Sequence, residues 1–154
     1  IFWGVTFFCR LSSLVYYRYM DCLFCKIIKG EIPSYKIYED ESTYAFLDIS
    51  PTTRGHTLVI PKVHAVDIQD IDSESLAAVA KTSKYISKLL VDKLGADGIN
   101  LRNNSGKVAH QDVFHFHMHV LPRYKNDGLN LTDQKTKEIN NEEIDLELLF
   151  KELT

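Results

Sequence analysis

The segment Phe114-His115-Phe116-His117-Met118-His119-Val120 alternates strictly between imidazole and apolar side chains. On a β-strand, residues two apart share a face, about 6.6 Å per step. The spacing therefore puts His115, His117 and His119 in one row and turns Phe114, Phe116, Met118 and Val120 toward a core. A free imidazole titrates near pH 6.5, about neutrality, so one ring can attack while a neighbour donates a proton. Neutral imidazole is also a good zinc ligand, and three rings in a row offer a second chemistry, a zinc hydrolase. A face that is merely solvated would more usually carry Lys, Glu, Thr or Ser.

Sulfur supplies a second cluster. Cys22 and Cys25 stand three apart, on one face if the segment is helical. They read as a reduced thiol pair, a redox pair or half a metal site. Three cysteines in the whole chain cannot close a disulfide framework, and the pairing suits a cytoplasmic compartment.

The scaffold that must hold these groups is one domain. The chain has 154 residues, 45% apolar and 25% charged, with a formal net charge of −3. That balance excludes a broad nucleic-acid footprint, and no apolar run reaches the roughly 18 residues of a membrane span. Residues 1–19 are rich in aromatics and lack acids; they are expected to be an extension outside the functional unit. Asp21 is expected to cap a helix over 22–29 that Gly30 closes. Strands follow over 35–39 and 43–47 with a turn at Asp40-Glu41-Ser42, then 56–60, stopped by Pro61. Asp72 or Ser73 caps a long helix with Leu76, Val79, Ala80, Ile86, Leu90 and Leu94 at helical spacing, ended by Gly95. Strands over 98–102 and 113–121 flank the polar loop Asn103-Asn104-Ser105-Gly106, the second stopped by Pro122. The remainder, 126–154, is an acidic tail with a short amphipathic helix over 142–153. The expected class is α+β, with a mostly antiparallel sheet of about five strands and one long helix.

His-Phe-His-Met-His-Val-Leu resembles the signature of the histidine triad (HIT) family, in which histidines alternate with apolar residues. Cys22 to Pro33, Phe46 to Pro51, Gly55 to Lys62 and Asn104 to Tyr124 resemble HIT segments in the same order. The resemblance spans 20–125 and is nearest to bacterial-type, Hint-like members that start with Cys-x-x-Cys.

The resemblance implies a purine nucleotide hydrolase that cleaves at the α-phosphate. It makes His117 the nucleophile of a transient nucleotidyl-histidine and places His119 and His56 at the phosphate. A phosphoramidate is the leading substrate class; the alternatives are a dinucleoside polyphosphate hydrolase and a non-catalytic nucleotide binder. With no Walker-type loop present, phosphate contacts fall to neutral donors of Asn104, Ser105 and Gly106 and to backbone N–H groups of Gln111, Asp112 and Val113. Asp48 takes the ribose hydroxyls. Phe24, Ile27, Ile32, Phe46 and Ile49 form the slot for the base, although composition alone would make them core. Asp112 stands where relatives usually carry Ser or Thr, and His110 where they carry Gly, which bears on the leaving group. In similar members the thiols join two histidines, here His64 and His115, to form a closed structural zinc site. The long helix and a sheet edge are expected to pair two copies into a homodimer.

Overall fold

The computed structural model describes residues 21–129 and 145–154; the expected extension over 1–19 and residues 142–144 of the expected tail helix lie outside them, and the helix observed there starts at Leu146. Helix α1 (Leu23–Ile28) leads into strands β1 (Lys36–Glu39), β2 (Thr43–Leu47) and β3 (Thr57–Pro61). Helix α2 (Ser73–Leu94) crosses to β4 (Gly98–Arg102), and a short 3₁₀ turn (Lys107–Ala109) precedes β5 (Met118–Arg123) and helix α3 (Leu146–Leu153). The five strands form one antiparallel sheet in the order β1-β2-β3-β5-β4. The α+β architecture is the one expected from the sequence.

Strands β2 and β3 are buried along their whole length because both sheet faces are covered. On one face Ala45, Leu47, Val59 and Val120 pack against Val79, Ile86, Leu90 and Leu94 of α2. The other face is a smaller cluster of Phe24 and Ile27 from α1 with Tyr44, Phe46, Leu58 and Ile60. A hydrogen bond between the hydroxyls of Thr43 and Thr82, 2.8 Å, satisfies both polar groups where helix meets sheet. Asp72 caps α2 by accepting from the Ser75 N–H at 2.8 Å, and Gly95 ends it in the left-handed region.

Helix α3 is part of the same core. Leu149 and Leu153 are buried against the α2 face of the sheet, and Asp145 caps the helix by accepting from the Glu147 and Leu148 N–H groups. Among the described residues no helix is long and apolar enough to cross a membrane.

Several local expectations need correction. Pro61 does not stop β3, which runs over Thr57–Pro61 with Pro61 opposite Thr43. Asp21 does not cap α1: Cys22 occupies that position and Asp21 pairs with Lys26 instead. The histidine strand begins at Met118 rather than Val113 and runs through Pro122 to Arg123. Over 113–117 the chain bends, with the His115 N–H donating to the Val113 carbonyl and the Phe116 N–H to Ala65. That bend leaves Phe114 half exposed instead of in the core.

Candidate active site and metal centre

Residues facing one another across a strand pair lie on the same side of a sheet. His119 lies opposite Leu58 of β3 and Arg102 of β4, so it projects on the α1 side, away from α2. His117 shares that side, and Phe24 of α1 packs edge-on against the rings of both His117 and His115. The side-chain alternation read from the sequence persists through 115–119, although the ladder starts only at 118. The three imidazoles do not serve one site, however. His117 and His119 join His56, whereas His115 joins Cys22, Cys25 and His64.

Hydrogen bonds decide which ring nitrogen of each histidine carries the proton. The His117 Nδ1 lies 2.7 Å from the His115 carbonyl oxygen. A carbonyl only accepts, so Nδ1 holds the proton and Nε2 keeps its lone pair. The Thr52 backbone N–H donates to His56 Nδ1 at 3.2 Å, so His56 is protonated at Nε2. That atom faces His119 Nδ1 at 2.9 Å, which must then be the acceptor. His119 is left with a donor N–H at Nε2. A bare nitrogen on His117 and a donor on His119 thus stand in rings whose centroids are 4.9 Å apart.

Burial keeps these rings neutral. Desolvation depresses His56 to about 3 and His119 to about 2, helped by neighbouring positive charge including Arg102. Desolvation also lowers His117, opposed by its bond to the His115 carbonyl and by the Asp48 and Asp112 charges. Asp48 follows β2 and is itself raised by burial; its Oδ2 lies 3.5 Å from His56 Nδ1. Asp48, His56 and His119 bring donor atoms together, but His56 Nε2 and His119 Nδ1 are occupied by each other.

Gly55 allows His56 to be where it is. Its φ of +89° suits only glycine, and a Cβ there would lie 2.6 Å from the Leu94 side chain.

The other expected site residues fall around this cluster with varied engagement. Phe24, Ile27 and Phe46 are buried together, with Ile32 and Val113 packed against them. Ile49 stands apart, 77% exposed. Gln111 is buried: its Oε1 accepts from the Gly106 N–H and its Nε2 donates to the Val66 and Val113 carbonyls. Asn104 donates to the His110 carbonyl. Ser105 accepts from the Ile68 N–H and donates to Asn103 Oδ1 at 2.6 Å. Asp112 is exposed. Sequence reasoning missed Asn103, whose Nδ2 donates to the His117 carbonyl at 2.9 Å. β4 ends at Arg102, so this side chain supplies the bond that a longer strand would have given to His117. Nothing in the sequence distinguishes it from Asn104 beside it.

The second cluster has the geometry of a metal site. Cys22 Sγ lies 3.4 Å from His115 Nδ1, Cys25 Sγ 3.4 Å from His64 Nδ1, and Cys25 Sγ 3.6 Å from His115 Nδ1. Sulfur and nitrogen ligands on a tetrahedral zinc are separated by about 3.6 Å. The His115 Nε2 donates to the Pro61 carbonyl at 2.9 Å, so its Nδ1 turns a lone pair toward the thiols. Burial and the adjacent Cys22 push the Cys25 thiol up to about 12; a divalent cation is the group that would offset a thiolate there. Cys22, Cys25, His64 and His115 therefore fit a four-coordinate zinc with no open position.

Fold and site together define a histidine triad protein: the HIT domain profile matches residues 29–126, and the chain belongs to that family. Among its relatives, an uncharacterized HIT-like protein of Borreliella burgdorferi is 48% identical over 130 residues, covering 78% of this chain and 94% of the relative. An adenosine 5'-monophosphoramidase of Saccharomyces cerevisiae is 48% identical over 102 residues, covering 66% and 62%. A zinc-bound histidine triad family protein from Mycobacterium smegmatis superposes with a TM-score of 0.71 at 42% identity, covering 88% of this chain and 94% of the other.

Proposed function

We propose that this chain hydrolyses purine nucleoside phosphoramidates at the α-phosphate through a nucleotidyl-His117 intermediate. The observation that carries the reading is the proton placement: His117 presents an unprotonated Nε2 beside a donor N–H on His119. The similarity to the yeast adenosine 5'-monophosphoramidase supports the substrate class.

The chemistry follows from these atoms. His117 Nε2 forms a bond to the α-phosphorus as the bond to the leaving nitrogen breaks. The amine takes a proton from solvent. His117 becomes an N-phosphorylated imidazolium, its Nδ1 proton still held by the His115 carbonyl, which stabilises the positive ring. Water then attacks phosphorus, the P–N bond to His117 breaks, and the water's proton returns to solvent. An uncharged nucleophile avoids the repulsion that phosphate oxygens would impose on a carboxylate. His119, locked as a neutral donor, keeps its proton and hydrogen-bonds the phosphoryl group throughout. Asp48 receives the ribose hydroxyls, and Phe24, Ile27, Ile32, Phe46 and Ile49 border the base. Asn104, Ser105, Gly106, Gln111, Asp112 and Val113 form the rim at the phosphate, where the Asp112 carboxylate suits an amine leaving group that bears protons.

Cys22, Cys25, His64 and His115 would hold one structural zinc, which braces α1 and the strand entry. A reduced metal-ligating thiol pair accords with a cytoplasmic protein. Tyr85 of α2 and Leu101 of β4 are about half exposed and would be covered by a second copy in a homodimer; a monomer by sedimentation at micromolar concentration would refute that assembly.

The decisive experiment uses adenosine phosphoramidate labelled at the α-phosphate. Acid-labile label should appear on the wild-type chain and be absent from His117→Asn. A wild-type chain that turns over substrate without ever acquiring label would overturn the covalent route, and one that neither binds nor cleaves it would overturn the substrate class.

A further inference from the structure

Arg102 is the last residue of β4, directly opposite His119 in the β4–β5 register. Its side chain therefore shares the sheet face of His119. Two residues earlier on that face, Asn100 Oδ1 accepts from Arg123 of β5 at 2.8 Å, which shows that side chains on this face reach one another across the pair. Arg102 is exposed, and among the described residues no carboxylate pairs with it. By contrast Arg123, opposite Gly98 at the other end of the same strand pair, is held by Asp127 and the Leu129 carbonyl. The Arg102 charge, in contrast, is felt at both His56 and His119.

We propose that Arg102 is a specificity-determining residue that binds a second anionic group, such as a β-phosphate, attached to the α-phosphate of a bound nucleotide. This rests on the nucleotide-hydrolase reading and deepens it. Of the three rings only His119 keeps an N–H free to donate, since the His56 Nε2 proton goes to His119 and the His117 Nε2 is bare; one neutral donor suits the single charge of an α-phosphate ester or amide. A further phosphate adds charge that neutral rings offset poorly. A guanidinium forms charge-assisted, often bidentate, bonds to phosphate oxygens, and Arg102 is the cation that the register sets beside His119. Asp112, near His117, acts in the opposite sense, since its carboxylate repels an anionic leaving group. The two charges would together decide between amine and phosphate leaving groups.

Calorimetric binding of adenosine mono- and diphosphate separates the two readings without needing turnover. The wild-type chain should bind the diphosphate roughly tenfold or more tightly than the monophosphate. Arg102→Gln should reduce that preference to under about twofold, Arg102→Glu should reverse it, and Arg102→Lys should restore part of it. A wild-type chain with no diphosphate preference, or an Arg102→Gln variant that retains it with an unchanged melting temperature, overturns the role of Arg102 while leaving the hydrolase reading intact. Failure of both nucleotides to bind the wild-type chain overturns both.

Discussion

Two histidines two residues apart, His115 and His117, are put to opposite uses. The His115 ring gives its Nε2 proton to the Pro61 carbonyl and turns Nδ1 toward two thiols. The His117 ring gives its Nδ1 proton to the His115 carbonyl and keeps Nε2 bare beside His119. Both are buried, both touch Phe24 edge-on, and burial depresses both. What separates them is which nitrogen a backbone carbonyl occupies. The residue type makes a ring reactive, but the carbonyl beside it decides whether the free lone pair meets a metal or a phosphorus atom.

The contrast can be broken most sharply at His117. His117→Asn should lower turnover of adenosine phosphoramidate by at least about a thousandfold while calorimetry still detects the nucleotide. Loss of affinity in parallel with rate would make His117 a binding group instead. On the metal side, Cys22→Ser should reduce zinc from one per chain to near none and cost about 3 kcal/mol of unfolding free energy or more. Metal analysis of freshly purified, reduced wild-type protein that finds no zinc would dispose of that half of the comparison.

Acid sharpens it next. His56 and His119 titrate near 3 and near 2 when folded, against about 6.5 when unfolded. Between roughly pH 6 and 4 the unfolded chain binds protons that the folded chain refuses, so stability falls as pH falls. Each ring adds a slope of up to about 1.4 kcal/mol per pH unit. Urea midpoints of His56→Gln should show a shallower slope than wild type over that interval; equal slopes would mean that His56 is not held neutral. Asn103→Ala should cost about 1–2 kcal/mol of stability and lower kcat more than it raises KM, because it frees the His117 carbonyl; a change in KM alone would assign Asn103 to binding. The smallest effect is expected at His110, whose φ of +62° is left-handed. His110→Gly should raise stability by about 0.5 kcal/mol, the relief of strain net of glycine's extra unfolded freedom, read from the melting temperature.

Much of this was legible beforehand. Asp72 and Gly95 mark the ends of α2 because a cap and a left-handed residue are local chemistry, and the bounds of β2 and β4 follow from alternation between turn residues. The alternation around His117 correctly gave the shared face. It could not give the start of β5, because the bend over 113–117 depends on the Ala65 carbonyl, distant in sequence, which captures the Phe116 N–H. Phe114 was misread for the same reason. Asn103 and Arg102 were passed over because their meaning lies in where β4 stops and what lies across from it, both properties of the register. At Cys22 the cap position could not be foreseen from Asp21, which had Lys26 as a competing partner.

The loop that carries His56 is fastened from far along the chain. Arg54 pairs with Glu152 of α3, and the Tyr124 hydroxyl donates to the Arg54 carbonyl at 3.0 Å. On the ribosome, every histidine of the pocket is therefore synthesised before the side chain that secures it. A chain without Glu152 would own every one of those imidazoles yet hold the loop before His56 by the Tyr124 hydroxyl alone of these two ties.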